Sequence, residues 1–322
     1  MGEEAADALI YGSSGVGKTA SSAYLLRQLN QSRSIGSATI ECAGKTGYGV
    51  IYEALDCHRT TTAIQPNAPT RKLIRTLRKI VDEPYVLVLD EADTLPNLEL
   101  LEELLQIRGI SVLAITHDND GWLSRLPGDL AERFRGDGEV HFGKYNDSEL
   151  VDILEPRAKR GLEVGSVRSG QLEWIAAEAE GEARFAIMSL LSAAELAEER
   201  GHDRIGESDI DDSFARAKRN VRESNLRSLP PVYKVTYELV RGYGPGGVKS
   251  TELKEVYFEQ REEIFGQLDR DPVGWRSIRG YLSKLDDYGL IDSKGNTSDL
   301  RFWATDPEIK PWIDIEMGTV TA

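Results

Sequence analysis

Residues Gly12 to Thr19 read GSSGVGKT, a complete G-x-x-x-x-G-K-[ST] loop between the apolar run Ala8-Leu9-Ile10-Tyr11 and the helix-forming stretch TASSAYLLRQL. A strand that turns through glycines straight into a helix commits the chain to an α/β sheet with its binding loops gathered at one edge. The glycines let the backbone wrap a phosphate with its N–H groups pointing inward, while the new helix aims its positive end at the same anion. Gly12, Ser13, Ser14, Gly15, Val16, Gly17 and Ala20 are therefore candidate cradle residues. Lys18 is the charge for the β and γ phosphates, and Thr19 the hydroxyl for an accompanying Mg²⁺. The motif names a ligand, a nucleoside triphosphate, and leaves the task open.

At 322 residues the chain has length for more than one domain. Its only cysteines, Cys42 and Cys57, and its histidines, His58, His117, His141 and His202, offer no ligand pair at zinc spacing, so neither a structural metal nor a disulfide framework is expected. No apolar run approaches the ~18 residues that span a bilayer, and the acidic start MGEEAAD lacks the basic flank of a signal peptide. A cytoplasmic protein with no membrane partner is expected. The net charge is −15, from 54 acidic and 39 basic residues, with twice as many arginines as lysines. In a salt-rich cytoplasm the Debye length shrinks to ~3 Å at 1 M, and distant acidic residues would not repel DNA. A halophilic source fits that balance.

From residue 8 to about 143, short β-type runs alternate with helical patterns, which predicts a mostly parallel sheet with helices on its faces. The strand candidates are Ala8 to Tyr11, Ala38 to Cys42, Tyr85 to Leu89, Ile110 to Ile115 and Glu139 to Phe142; RKLIRTLRKIV and LELLEELLQI carry helical spacing. From Asn146 the pattern is helical only, as expected of a small lid, with Asn146, Asp147 or Ser148 as first cap and Gly161 and Gly201 as stops. The polar stretch RESNLRSLPP reads as a linker, and Pro230-Pro231 ends helical continuation. The expected division is 1–144 for a nucleotide-binding core, 145–227 for a helical lid and 228–322 for a third domain.

The run VLVLDEADTL sets Asp90 and Glu91 just after apolar strand residues, at the sheet edge where the phosphate loop also ends. Asp90 is placed to hold Mg²⁺ with Thr19, and Glu91 to orient the water that attacks the γ-phosphate. The strand SVLAIT runs into His117-Asp118-Asn119, where a γ-phosphate sensor or an ordinary polar turn fits equally. Arg133, in LAERFRG, is a candidate to reach a neighbouring subunit's γ-phosphate, and Arg184, in GEARFAI, to close on the nucleotide from the lid. A solvated helix surface is the plainer reading of either arginine.

In the last segment, SLPPVYKVTYELVRGY, STELKEVYFEQREE and GWRSIRGYLSKLDDYGLI predict helices, and SKGNTSDLRFWAT a hairpin turning at Lys294-Gly295-Asn296. Three helices and a β-wing make the winged-helix plan. On its third helix Trp275, Ile278, Leu282 and Leu285 share one face, which leaves Arg276, Ser277, Arg279, Ser283 and Lys284 outward as a candidate major-groove reader, with Lys294 on the wing. From Ser228 on there are 12 basic and 16 acidic residues, so the segment lacks the basic footprint of a DNA binder and a protein-binding winged helix stays open.

Together GSSGVGKT, LVLDEADTL, YNDSELVDIL, GEARFAI and GWRSIRGYLSKLDDYGLI resemble the archaeal replication-initiator family related to the origin recognition complex and the eukaryotic helicase loader. The resemblance implies an AAA+ ATPase core with a helical lid and a winged-helix tail, ATP and ADP with Mg²⁺ as ligands, and slow hydrolysis used as a switch. It implies double-stranded origin DNA and a replicative helicase as partners, self-association on DNA, and a place at the nucleoid. In this likeness Arg184 is the lid sensor, Arg133 the intersubunit arginine, and His117 stands, in ITHD, where relatives carry asparagine in ISND. Asp129 stands where relatives often carry another arginine, and only seven residues precede Ala8, which suggests an upstream start or a shortened paralogue. The rival readings are an ATP-gated DNA-binding regulator and a signalling or transposition-helper ATPase whose winged helix binds protein.

Overall fold

The computed structural model describes residues 6–32, 35–60, 64, 67–168, 170–296 and 299–313. Two expectations, the short lead before the first strand and the tip of the final hairpin, fall partly outside the described residues. The chain forms two units, Met1–Tyr145 and Asn146–Ala322.

In the first unit β1 (Ala8–Tyr11), α1 (Lys18–Ser32), β2 (Gly36–Glu41), α2 (Gly47–Asp56), α3 (Thr70–Ile80), β3 (Tyr85–Asp90), α4 (Glu99–Leu105), β4 (Ile110–Thr116), α5 (Asn119–Leu123), α6 (Gly128–Arg133) and β5 (Glu139–His141) follow one another. The strands pair in the order β2-β3-β4-β1-β5, all parallel. Every residue of β4 is buried, as a run walled by strands on both sides and helices on both faces must be. Alternate strand residues divide between two cores. Ile10, Val88, Leu113 and Ile115 pack with Leu26 of α1, whereas Leu87, Leu89, Val112 and Ala114 pack with side chains of α2 to α6. Right-handed crossovers produce this split, because β1 to β2 runs across the sheet in one direction and every later connection in the other.

The expected strands are present, with ends displaced by a residue or two. Sequence reading missed α2, whose glycines weaken the helical signal. Thr46 starts it by accepting a hydrogen bond from Gly49 N–H at 3.4 Å.

The second unit opens with α7 (Asp147–Gly161), α8 (Gln171–Glu178), α9 (Ala183–Glu199) and α10 (Glu207–Ser228). Asn146 caps α7 through a reciprocal box with Glu149. At the start of α10 the fully buried Asp209 accepts hydrogen bonds from Gly206 N–H, His202 Nδ1 and Arg200 Nη1, each at 2.8 Å. Burial raises its pKa, but the bonds from His202, Gly206 and Arg200 outweigh that and hold the carboxyl below its ordinary 3.8. A lowered carboxylate stabilises the fold above its unfolded pKa and loses that stabilisation as pH falls through the folded value. Asp209→Asn is therefore expected to cost about 2 kcal/mol near neutral pH, with the deficit shrinking below about pH 4, as urea melts at a series of pH values would record.

The stretch read as a linker is helix as far as Ser228, and Pro230-Pro231 ends that helix as expected. α10 continues into it because its polar residues bond to the tail: Arg222 Nε donates to Gly289 O at 3.0 Å and Asn225 Nδ2 to Tyr288 O at 3.2 Å, with Leu226 fully buried. Lid and tail thus share one compact unit.

The tail comprises α11 (Pro231–Arg241), β6 (Val248–Lys249), α12 (Ser250–Gln267), α13 (Trp275–Asp287), β7 (Ile291–Lys294) and β8 (Arg301–Ala304). The strands pair antiparallel in the order β6-β8-β7. Three helices and a small antiparallel sheet follow one another in the order expected from the sequence, with β6 as a third strand that sequence reading missed. Among the described residues no helix is long and apolar enough to cross a membrane.

Candidate functional site

The sheet register gathers three strand ends. Tyr11 lies opposite Thr116, and Leu89 opposite Ala114, so the loop after β1, the acids after β3 and His117 after β4 emerge along one carboxyl edge. Ligands bind at such edges because the loops there are free to present backbone and polar groups.

Gly12, Gly15 and Gly17 all have positive φ, at 147°, 79° and 90°. A Cβ on Gly12 would stand 2.2 Å from the carbonyl oxygen of Phe142, so no other residue fits where the loop leaves β1. Val16 is fully buried and anchors the loop, with Ser13 exposed and Ser14 and Gly15 half-buried around it. Lys18 is buried and donates from Nζ to Gly12 O at 2.7 Å and Ser13 O at 2.8 Å, which holds its ammonium inside the loop's curve. Ala20 sits exposed in the first turn of α1. Tyr145, which sequence reading did not single out, donates from its hydroxyl to Val16 O at 3.1 Å. The only cue to it is that the chain leaving β5 must pass beside the loop leaving β1.

Thr19 Oγ1 donates to Asp90 Oδ2 at 2.7 Å, which joins phosphate loop and acidic strand end. The other oxygen of Asp90 accepts from Glu91 N–H at 3.1 Å. Glu91 has left-handed backbone, φ 55° and ψ 42°, a conformation that costs a non-glycine residue about 1 kcal/mol or more and collects at functional sites. Its Oε2 has no accessible surface. Nearby, burial followed by the charges of Glu41 and Asp90 pushes the Cys42 thiol up, so it stays protonated and inert. His117 is half-buried, and its N–H meets Asp93 Oδ2 at 3.4 Å.

Arg133 is paired within its own unit. Its Nε and Nη2 bind the buried carboxylate of Asp7 at 2.7 and 2.6 Å, and its Nη1 donates to Leu105 O at 3.1 Å. A charge buried just before β1 needs partners, and Arg133 and the Val112 N–H supply them, with the Arg133 side chain 42% exposed.

The remaining candidates lie in the second unit. Arg184 opens α9 and donates from Nη2 to Ser224 Oγ of α10 at 3.1 Å; burial lowers its pKa. On α13, Arg276, Arg279 and Ser283 are exposed and Ser277 is half-buried; on β7, Lys294 is exposed. Lys284 does not face outward. It is 4% exposed, with Nζ 4.6 Å from the centre of the Tyr288 ring, because its aliphatic stem joins the buried face and its charge meets an aromatic one turn on.

A parallel sheet in this strand order, with a phosphate loop after β1 and an acid pair after the strand two places along, is the framework of the AAA+ class of ATPase. Residues 4–121 match the model of an AAA domain, and residues 151–215 that of the Cdc6 AAA+ ATPase-type lid domain. An ORC1-type DNA replication protein of Halobacterium salinarum is 30% identical over 308 residues, covering 95% of this chain and 84% of that protein. A second from that organism is 29% identical over 265 residues, covering 81% and 85%. The Aeropyrum pernix ORC1 protein, solved in complex with DNA, superposes with a TM-score of 0.69 at 25% identity, covering 94% of this chain and 84% of that one. The chain belongs to the family of ORC1-type DNA replication proteins.

Proposed function

We propose that the chain is an ATP-switched replication initiator that binds duplex origin DNA through its winged helix. The observation that carries this reading is the bond from Thr19 to Asp90, which ties a phosphate loop to an acidic strand end in a chain of this family. Solved relatives support both ligands: the Aeropyrum pernix ORC2 protein, alike in fold, was obtained in ADP and ADPNP complexes, and the ORC1 protein with DNA.

Gly12 to Gly17 and Ala20 would take the phosphates through their N–H groups, and Lys18 would neutralise them. Thr19 and Asp90 are hard oxygen donors of the kind Mg²⁺ selects. Mg²⁺ would supply charge neutralisation of the β and γ phosphates. Glu91 then orients a water, His117 senses the terminal phosphate, and Arg184 closes from the lid. Arg133, 42% exposed in its pair with Asp7, serves a neighbouring copy's γ-phosphate, and hydrolysis is slow and acts as a switch. The exposed Arg276, Arg279 and Ser283 of α13, with Ser277, read base edges, and Lys294 contacts phosphate from the wing. A replicative helicase and further copies of the chain on DNA complete the set of partners, in the cytoplasm at the nucleoid.

The direct test is a footprint on genomic DNA at high salt, with ATP and then with ADP. Protection of discrete sites that changes with the nucleotide is expected; no protection at any salt with either nucleotide would overturn the reading. Arg279→Ala is expected to lower discrimination at the bases it contacts about tenfold while nonspecific affinity changes little, measured by competition with mutated sites.

A further inference from the structure

The motif that supplies Asp90 and Glu91 carries another acid whose role the hydrolytic reading leaves unassigned. We propose that Asp93 is a positioning residue for ATP hydrolysis: it fixes the turn carrying Glu91 against the strand end carrying His117, and so sets turnover without contributing to nucleotide affinity. The proposal rests on Glu91 acting in hydrolysis.

A continuous set of bonds makes the case. Thr19 Oγ1 reaches Asp90 at 2.7 Å, and Asp90 Oδ1 accepts the N–H of Glu91 at 3.1 Å. The left-handed Glu91 throws the chain into a single tight turn, Ala92–Thr94, closed by Thr94 Oγ1 donating to Glu91 O at 2.7 Å. Asp93 stands in the middle of that turn. Its Oδ2 accepts the backbone N–H of His117 at 3.4 Å, across to the end of β4. The turn is also clamped by Arg125, which donates from Nη1 to Asp93 O at 2.6 Å and from Nη2 to Leu95 O. Thr116, the residue before His117, pairs with Tyr11, the residue before Gly12. The general-base carboxylate, the sensing residue and the phosphate loop are thereby held to one another through Asp93 and Asp90.

A second observation separates this role from ordinary turn formation. Asp93 Oδ1 has no accessible surface and accepts no hydrogen bond among the described residues. A buried acceptor without a donor weakens the fold, and a residue that only closed a turn would not need it. What Asp93 offers instead is its other oxygen, Oδ2, which ties the turn after β3 to the backbone N–H of His117 after β4. Small displacements of a catalytic group from its productive geometry are costly in rate, so a loosened turn shows in turnover first.

The test compares the full chain with Asp93→Ala, Asp93→Asn and Asp93→Ser in phosphate release, ATP binding and thermal melting. Wild type and Glu91→Gln are measured alongside. Asp93→Ala is expected to lower kcat about tenfold or more with KM, ATP affinity and melting temperature near wild type. Asp93→Asn keeps an oxygen for the His117 N–H and is expected to lose only about threefold. Asp93→Ser, too short to reach His117, should behave like alanine and serves if the alanine variant does not fold. Loss of ATP affinity or melting temperature in step with kcat would overturn the proposal, as would an asparagine variant no better than alanine. Lost turnover in Glu91→Gln beside unchanged turnover in Asp93→Ala would overturn this proposal alone. Unchanged turnover in Glu91→Gln would overturn the role of Glu91 and this proposal with it.

Discussion

Replacing Lys18 with alanine is expected to weaken ATP binding at least a hundredfold while the fold persists. The ammonium is buried in the curve of the loop, bonded to the carbonyl oxygens of Gly12 and Ser13, and is the charge that the phosphate loop brings to an incoming polyphosphate. Opposite charges ~4 Å apart at an effective dielectric of about 20 attract by about 4 kcal/mol, nearly three powers of ten in affinity, of which desolvation takes back a part. The two carbonyl contacts also brace the loop, so a loss of about 1 kcal/mol in stability accompanies the change. Calorimetric titration with ATP, beside a melting curve for the variant, checks both. An affinity within tenfold of wild type would show that the loop does not grip phosphate as its geometry suggests.

Changing Glu91 to glutamine is expected to lower phosphate release at least a hundredfold with ATP affinity retained. The amide keeps the length of the side chain and the hydrogen bond from its backbone to Asp90, but it cannot take a proton from water. The strain at this residue gives a second readout. Glu91→Gly should relieve the left-handed conformation and raise stability by about 1 kcal/mol while abolishing turnover, a trade between stability and activity located at one backbone position. Single-turnover phosphate release and urea melts of the two variants measure these effects. Turnover preserved in either would remove Glu91 from the hydrolytic step.

Much of the candidate site is legible in the sequence because its parts are local. A phosphate loop needs glycines, a lysine and a hydroxyl within one turn of chain, and the acid pair needs only an apolar strand before it, so Gly12 to Thr19 and Asp90-Glu91 could be read off directly. The strands of the first unit were legible for the same reason, and so was the buried stripe of α13. Lys284 was misread because a charged residue on a helix looks solvated until its neighbours are known. The partner of Arg133, Asp7, lies 126 positions away in sequence, and that of Lys284 is an aromatic ring on the same helix end. The supposed linker failed as a linker because its arginine and asparagine bond to carbonyl groups more than sixty residues further on. Polarity there reports partners, not solvent.

Sequence alone gave the expectation of a nucleotide ligand, the α/β core and the family likeness, all of which rest on contiguous motifs and their order. Tertiary structure alone decided which charges find partners inside the fold: Arg133 with Asp7, Lys284 with Tyr288, Asp209 with Arg200 and His202. It also brought Tyr145 and Arg125 to the edge where Thr19 meets Asp90, and set Asp93 against the His117 N–H. The division has one physical cause. A backbone turn is specified by the few residues that make it, whereas the fate of a charge depends on whichever groups the packed sheet and helices set beside it.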